Sequence, residues 1–317
     1  MRRIKQRIVA SDAFQVITAR YHQYKRRRQL KRQYGEVIEK YRRDQSLYQS
    51  PPQSESKPSN EIWLCWWQGE TLMSPLVKEC YDRIRRFNPD KQVILITEDN
   101  LEQYVSFPSY ILEKFRKGVI SKTHMSDLLR AELLARYGGV WMDATLYTFG
   151  PIPERFYEKT LYTGRCAFNK KDYNVSRNRW TTYFWVSPWP GHIFFRFLSD
   201  FWRAYWKDQE NLIEYLLTDY MIDLGYRTIP LIKRELDAVD VNGCGFNLWL
   251  LLKKLRDDYS PELIERIRQE NWMQKLSYKG EEFNQKKALH PERSVYKALF
   301  LDVIQKTPLG ETVNRNA

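Results

Sequence analysis

Apolar residues near the N-terminus fall mostly at three- and four-residue steps (Ile4, Ile8, Phe14, Ile17, Tyr21, Tyr24). After a break in phase, Leu30, Tyr34, Val37 and Tyr41 repeat the pattern among many Arg and Lys. This spacing predicts a basic amphipathic helix or helix pair over residues 1–44. The stripe is open to several partners: the folded body, a second copy of the chain, an anionic membrane surface, or nucleic acid. Residues 45–60, QSLYQSPPQSESKPSN, lose the apolar pattern and read as a linker. The folded region is expected over 61–317.

Within that region the period alternates. Ile62–Trp67 is strand-like and leads into Gln68-Gly69, and a helical stretch runs from Ser74 to Phe87 with Pro75 suited to its first turn. Asn88-Pro89-Asp90 signals a turn, and Val93–Ile96 is a β-branched run of the kind buried in a parallel sheet. Thr123–Tyr137 predicts a helix stopped by Gly138-Gly139, after which Val140-Trp141-Met142 reads as a strand ending at Asp143. Strand and helix in alternation predict an α/β fold. The aromatic run Trp180–Trp189 predicts a buried strand and turn, a sugar-stacking platform being the other use of such residues. Asp219 falls on a helix whose neighbours, Tyr215, Leu216 and Met221, point to packing.

Composition changes the picture in one respect. The chain has 317 residues, 43% of them apolar, enough for one large core, and a net charge of +13. That charge is uneven: 15 Lys and Arg face 5 Asp and Glu up to Pro58, leaving 37 against 34 beyond it. The arm therefore carries the attraction for polyanions, and no RNA- or DNA-reading motif supports nucleic acid as a partner. Cys65, Cys80, Cys166 and Cys244 are scattered, so neither a zinc ribbon nor a disulfide framework is signalled, and a reduced cytoplasmic compartment is expected. The four histidines lack metal-binding spacing, and no Walker or GxGxxG loop supports a kinase or dehydrogenase. Apolar runs such as Phe246–Leu252 are too short to span a bilayer, which predicts a soluble or peripheral protein.

The chemistry concentrates in SKTHMSDLLRAELLARYGGVWMDATL, Ser121 to Leu146. Asp127 and Arg130 share a helix face, and Gly138-Gly139 let the chain leave in a left-handed conformation. The next strand then delivers Asp143 at its carboxyl end, where open α/β sheets bind ligands. Such a carboxylate can hold a divalent cation that bridges a diphosphate leaving group. Taken alone, Asp127 with Arg130 also reads as a surface helix pair, and a strand-terminal Asp as a turn former.

The order SDLLR, YGG, strand-terminal Asp resembles the capsular polysaccharide synthesis glycosyltransferases, relatives of the DXD-containing sugar transferases of the yeast α-mannosyltransferase type. IWLCWWQGE at Ile62–Glu70, FNPD at Phe87–Asp90 and QKLSYK at Gln274–Lys279 extend the likeness, which covers about Glu61 to Lys279. The resemblance implies a GT-A-like domain with a mixed, mainly parallel sheet. It also implies a nucleotide-sugar donor, with UDP expected, and hexosyl transfer with retention to a lipid-linked or growing surface glycan. Asp143 and Asp127 become the candidate catalytic acids. Gln68, Gly69, Asp127, Arg130, Gly138, Gly139, Lys275, Ser277, Tyr278 and Lys279 become candidate donor contacts. Mn2+ or Mg2+ is implied at Asp143. Where many relatives have Asp-X-Asp, however, this chain has Asp143-Ala144-Thr145, leaving Thr145 or Gln274 as second ligand. The missing acid also supports an alternative, a catalytically degenerate scaffold in a polysaccharide assembly complex. A membrane-attached enzyme would sit at the inner face of the cell membrane.

Overall fold

The computed structural model describes residues 12–44, 58–241, 247–280 and 287–302. The described residues form two units. The first takes the chain up to Trp67, Ile96–Met142 and the run from Pro153 to Val241; the second takes Gln68–Leu95, Asp143–Ile152 and the run from Asn247 on. The sequence divides the chain at 44 and 60, whereas the tertiary contacts group the arm with the strand Glu61–Cys65. Residues 1–11 of the expected arm and 45–57 of the expected linker lie outside the described residues.

In the first unit the arm is a helix pair, α1 (Asp12–Gln33) and α2 (Gly35–Arg43), breaking at Tyr34. Of the second half of the stripe, Leu30, Tyr34 and Tyr41 are buried and Val37 is half-buried, and the Tyr34 and Tyr41 rings pack on Phe201 and Phe197. The first half faces the other way. Phe14, Ile17, Tyr21 and Tyr24 are 38%, 66%, 55% and 55% exposed, while Gln23 is buried with its Nε2 donating to Tyr173 O at 2.6 Å. Polar groups dock this helix because the surface that receives them carries a buried carboxylate, Asp223, paired with Arg27.

The sheet of this unit contains β1 (Glu61–Cys65), β3 (Gly139–Met142), β5 (Tyr162–Thr163) and β6 (Phe184–Ser187), in the order β1-β3-β6-β5. β1 and β3 are parallel, with Trp63 opposite Trp141; β6 is antiparallel to β3 and to β5. Ile96, the last residue of β2 (Gln92–Ile96), accepts the Trp66 N–H at 3.0 Å. The fold is mixed α/β, as expected.

Of the predicted helix Thr123–Tyr137, the structure forms α6 (Lys122–Arg136), capped by the Ser121 hydroxyl accepting the His124 N–H. Two short helices precede it, α4 (Leu101–Tyr104) and α5 (Ser109–Arg116). Against α6 lies α7 (Ile193–Asp208), whose Phe194, Phe195, Phe197, Phe201, Trp202, Tyr205 and Trp206 are all fully buried. Burial of each such ring contributes about 2–3 kcal/mol, so this helix is a main anchor of the core. Two further helices, α8 (Leu217–Thr228) and α9 (Pro230–Asp237), complete the unit.

In the second unit α3 (Pro75–Phe87) lies against β4 (Leu146–Thr148), which is antiparallel to β7 (Met273–Lys275). Arg83 stacks over Tyr147 at 4.2 Å and donates to Thr148 O at 2.6 Å, tying helix to strand. Helices α10 (Leu250–Lys254) and α11 (Pro261–Glu270) and a π-helical turn, Lys297–Leu301, complete it.

Candidate active site

Asp143 follows the last residue of β3, as the sequence predicts. The turn it opens, with Leu146 N–H donating to Asp143 O at 3.0 Å, starts β4, and the β4–β7 register sets Leu146 opposite Lys275. That pairing draws the Lys275 ammonium onto the site: Nζ lies 3.1 Å from Asp143 Oδ2 and donates to the Thr145 hydroxyl. Both charged side chains are largely shielded, 13% exposed for Lys275 and 24% for Asp143. The result is a fixed cation with its counter-ion and a neutral oxygen, held by two backbone segments.

These residues were expected to hold Mn2+ or Mg2+, and the donor set does not fit a divalent ion held by the protein alone. Thr145 supplies a neutral oxygen, and the ammonium already bridges it to Asp143. Gln274, the other expected ligand, is a fold residue instead: it is fully buried opposite Tyr147, and its Oε1 accepts the Leu251 N–H at 2.9 Å. Among the described residues no group of three His, Cys, Asp or Glu is gathered for a metal.

Gln68 is exposed and Gly69 takes a φ of +81°, opening the turn Glu70–Leu72. Ser277, half-buried, and Tyr278 and Lys279, exposed, follow β7.

In the first unit, Asp127 and Arg130 are no surface pair. Arg130 NH2 lies 2.6 Å from Asp127 Oδ1, and the two side chains are 6% and 13% exposed. The guanidinium also donates to Thr182 O and sits over the Trp141 and Trp185 rings at 5.2 and 5.8 Å. A guanidinium held this firmly fixes the orientation of its partner carboxylate.

Asp219 on α8 accepts the Trp180 indole N–H at 2.8 Å. Burial pushes its carboxyl up to about 6, the Trp180 bond works against that, and the charge of Asp127 adds to it. Asp127 and Asp219 are thus two carboxylates of one unit in electrostatic contact, a coupling that their 92-residue separation in the sequence hides.

Gly138 and Gly139 serve the packing of the strand they precede and open. Both have positive φ, +71° and +91°, and they lie at the amino end of β3, three residue steps, about 10 Å, from its carboxyl end. A Cβ on Gly138 would come within 2.8 Å of Ser187 O, and one on Gly139 within 2.5 Å of Glu61 O. Close backbone packing is enough to require glycine at both positions. Trp180 and Trp185 are core residues, as the packing alternative has it.

Residues 6–299 match the family described as capsular polysaccharide synthesis protein, and the chain belongs to that family. The match takes in most of the arm. Among curated proteins the chain is similar to O-glycosyltransferase braB of Annulohypoxylon truncatum, 31% identical over 107 residues. The aligned stretch is 31% of this chain and spans only 25% of the fungal protein. Among solved structures it is similar to PaToxG Glycosyltransferase, with a TM-score of 0.36 at 15% identity, over 88% of this chain and 98% of that one.

Proposed function

We propose that the chain is a glycosyltransferase with a GT-A-like fold. It moves a hexosyl group, with retention, from a UDP sugar to a hydroxyl of a lipid-linked or growing capsular glycan. Membership of the capsular family and the partial likeness to an O-glycosyltransferase support the class. The observation that carries the site is the Lys275 ammonium held on Asp143 and Thr145 next to a strand end.

As the bond between the anomeric carbon and the diphosphate breaks, negative charge grows on the leaving oxygens. A pre-positioned ammonium stabilises that charge without reorganisation. The diphosphate oxygen takes the acceptor's hydroxyl proton as the new glycosidic bond forms, so the step needs no separate protein base. No step passes through a metal.

A second reading, a degenerate scaffold, draws on the same pairing, because Asp143 is already neutralised and residue 145 is not an acid. Purified chain incubated with UDP sugars and an extract of lipid-linked glycans separates the two. Transfer that Asp143→Ala abolishes without unfolding the protein supports the enzyme. A folded wild-type chain that neither binds nor consumes any nucleotide sugar sinks it.

The exposed aromatic and aliphatic face of α1 fits attachment to the inner face of the cell membrane. Ile17→Glu with Tyr21→Glu should release the protein from vesicles containing anionic lipid. Undiminished sedimentation would exclude this attachment.

A further inference from the structure

We propose that Arg27, Arg179 and Arg227, which converge on Asp223, together with Arg20 and Arg177 beside them, form a binding site for a phosphate group. Asp223 is fully buried, and three guanidiniums converge on it: Arg179 at 2.7 Å, Arg227 at 2.8 Å and Arg27 at 3.1 Å. Their bonds overcome the effect of burial and hold the carboxyl below its usual range. One carboxylate cannot neutralise three cations, and two more lie close by. Arg20 feels the charges of Arg27, Arg179 and Arg227, and Arg177 feels those of Arg20, Arg179 and Arg227. Asp172 and Asp223 are the carboxylates that act most on these two and Asp219 faces Asp223, so the five positive charges outnumber these three negative ones.

Arg177 shows the imbalance most clearly. Its backbone is left-handed at φ +50°, as is that of Asn178 at +68°, a conformation that side-chain-bearing residues hold at a cost and that clusters at ligand sites. Its Nε is buried and has no hydrogen-bond partner among the described residues. Burial and the neighbouring arginines together push its guanidinium down to about 10. Like charges packed this tightly repel unless an anion joins them, and a phosphate presents several oxygens to the planar forks of guanidinium groups. A route in exists, because Arg227 is exposed and Arg20 and Arg177 are half-buried. Since α1 supplies two of the five, a bound phosphate would also hold the arm to the body. The inference does not depend on the proposed transferase activity.

Inorganic phosphate titrated into the full chain, against chloride at equal ionic strength, tests it by calorimetry and thermal shift. Phosphate should raise the Tm where chloride does not. Arg177→Gln with Arg227→Gln should weaken phosphate at least tenfold, while the Tm without phosphate stays level or rises as repulsion is relieved. Arg177→Lys, which keeps the charge but loses the fork, serves if the double variant fails to fold, and should weaken phosphate several-fold.

Equal stabilisation by chloride, or phosphate affinity unchanged in both variants, overturns the site. So does phosphate binding that survives these changes and is lost on Lys275→Ala. Vesicles of phosphatidylglycerol in phosphatidylcholine distinguish the sources. Capture that free phosphate competes away and Arg177→Gln weakens assigns a lipid headgroup. Phosphate binding with capture indifferent to Arg177→Gln assigns a soluble phosphate.

Discussion

Lys275 Nζ lies 3.1 Å from Asp143 Oδ2 across a sequence separation of 132 residues. Neither residue takes this position by itself. The turn after β3 orients one and the β4–β7 register the other, so the pair reports on both segments at once.

If this ammonium stabilises the departing diphosphate, Lys275→Ala and Asp143→Ala should each lower kcat about 100-fold in the transfer assay with the fold intact. The double variant should be little worse than the poorer single one, because the two act as a unit. Additive losses would show that they serve separate steps. Activity should persist when a chelator is added; collapse that Mn2+ reverses would restore the metal to the site.

Arg130 should matter to stability more than its surface-like sequence position suggests. Arg130→Met takes the guanidinium away from a largely shielded Asp127, and urea unfolding should show a loss of about 3–5 kcal/mol. Asp127→Asn, which removes the stranded charge, should cost less. A loss under about 1 kcal/mol in Arg130→Met would place the pair among ordinary exposed ion pairs.

Asp219 sets a pH dependence. Its folded carboxyl is raised to about 6 from an ordinary 3.8. Between these values the folded state therefore holds more protons than the unfolded chain, and stability falls as pH rises from about 4 to about 6. Asp219→Asn keeps an oxygen for the Trp180 N–H and should flatten this part of the Tm-against-pH curve, with a gain at pH 7. A parallel curve for the variant would assign the slope to other groups.

Gly138→Ala and Gly139→Ala each place a Cβ against fixed backbone at positive φ. Each should cost about 2–4 kcal/mol. Nucleotide-sugar affinity of the remaining folded protein should not change, since these residues lie at the amino end of β3. A selective loss of donor affinity would return them to the binding site.

Local pattern was legible wherever one period ruled. Helix α3 and helix α6, strand β2 and the strand that ends before Asp143 all follow from runs of Leu, Ile and Val between Gly and Pro stops. The helix pair of the arm followed in the same way. Its first half illustrates the limit: the three-and-four spacing of Phe14, Ile17, Tyr21 and Tyr24 marks a face correctly, yet that face points outward. Periodicity says which residues share a side, and only the surface opposite says which side is wanted.

The sequence by itself determined the α/β class, the acid at the end of β3, and the helix face shared by Asp127 and Arg130, because each depends on neighbours within a turn or a strand. The tertiary structure decided that Lys275 meets Asp143, that the charge of Asp127 acts on Asp219, and that three arginines converge on Asp223. Those meetings join segments tens to hundreds of residues apart, and their energies come from burial and charge in a shared interior, which no local spacing encodes.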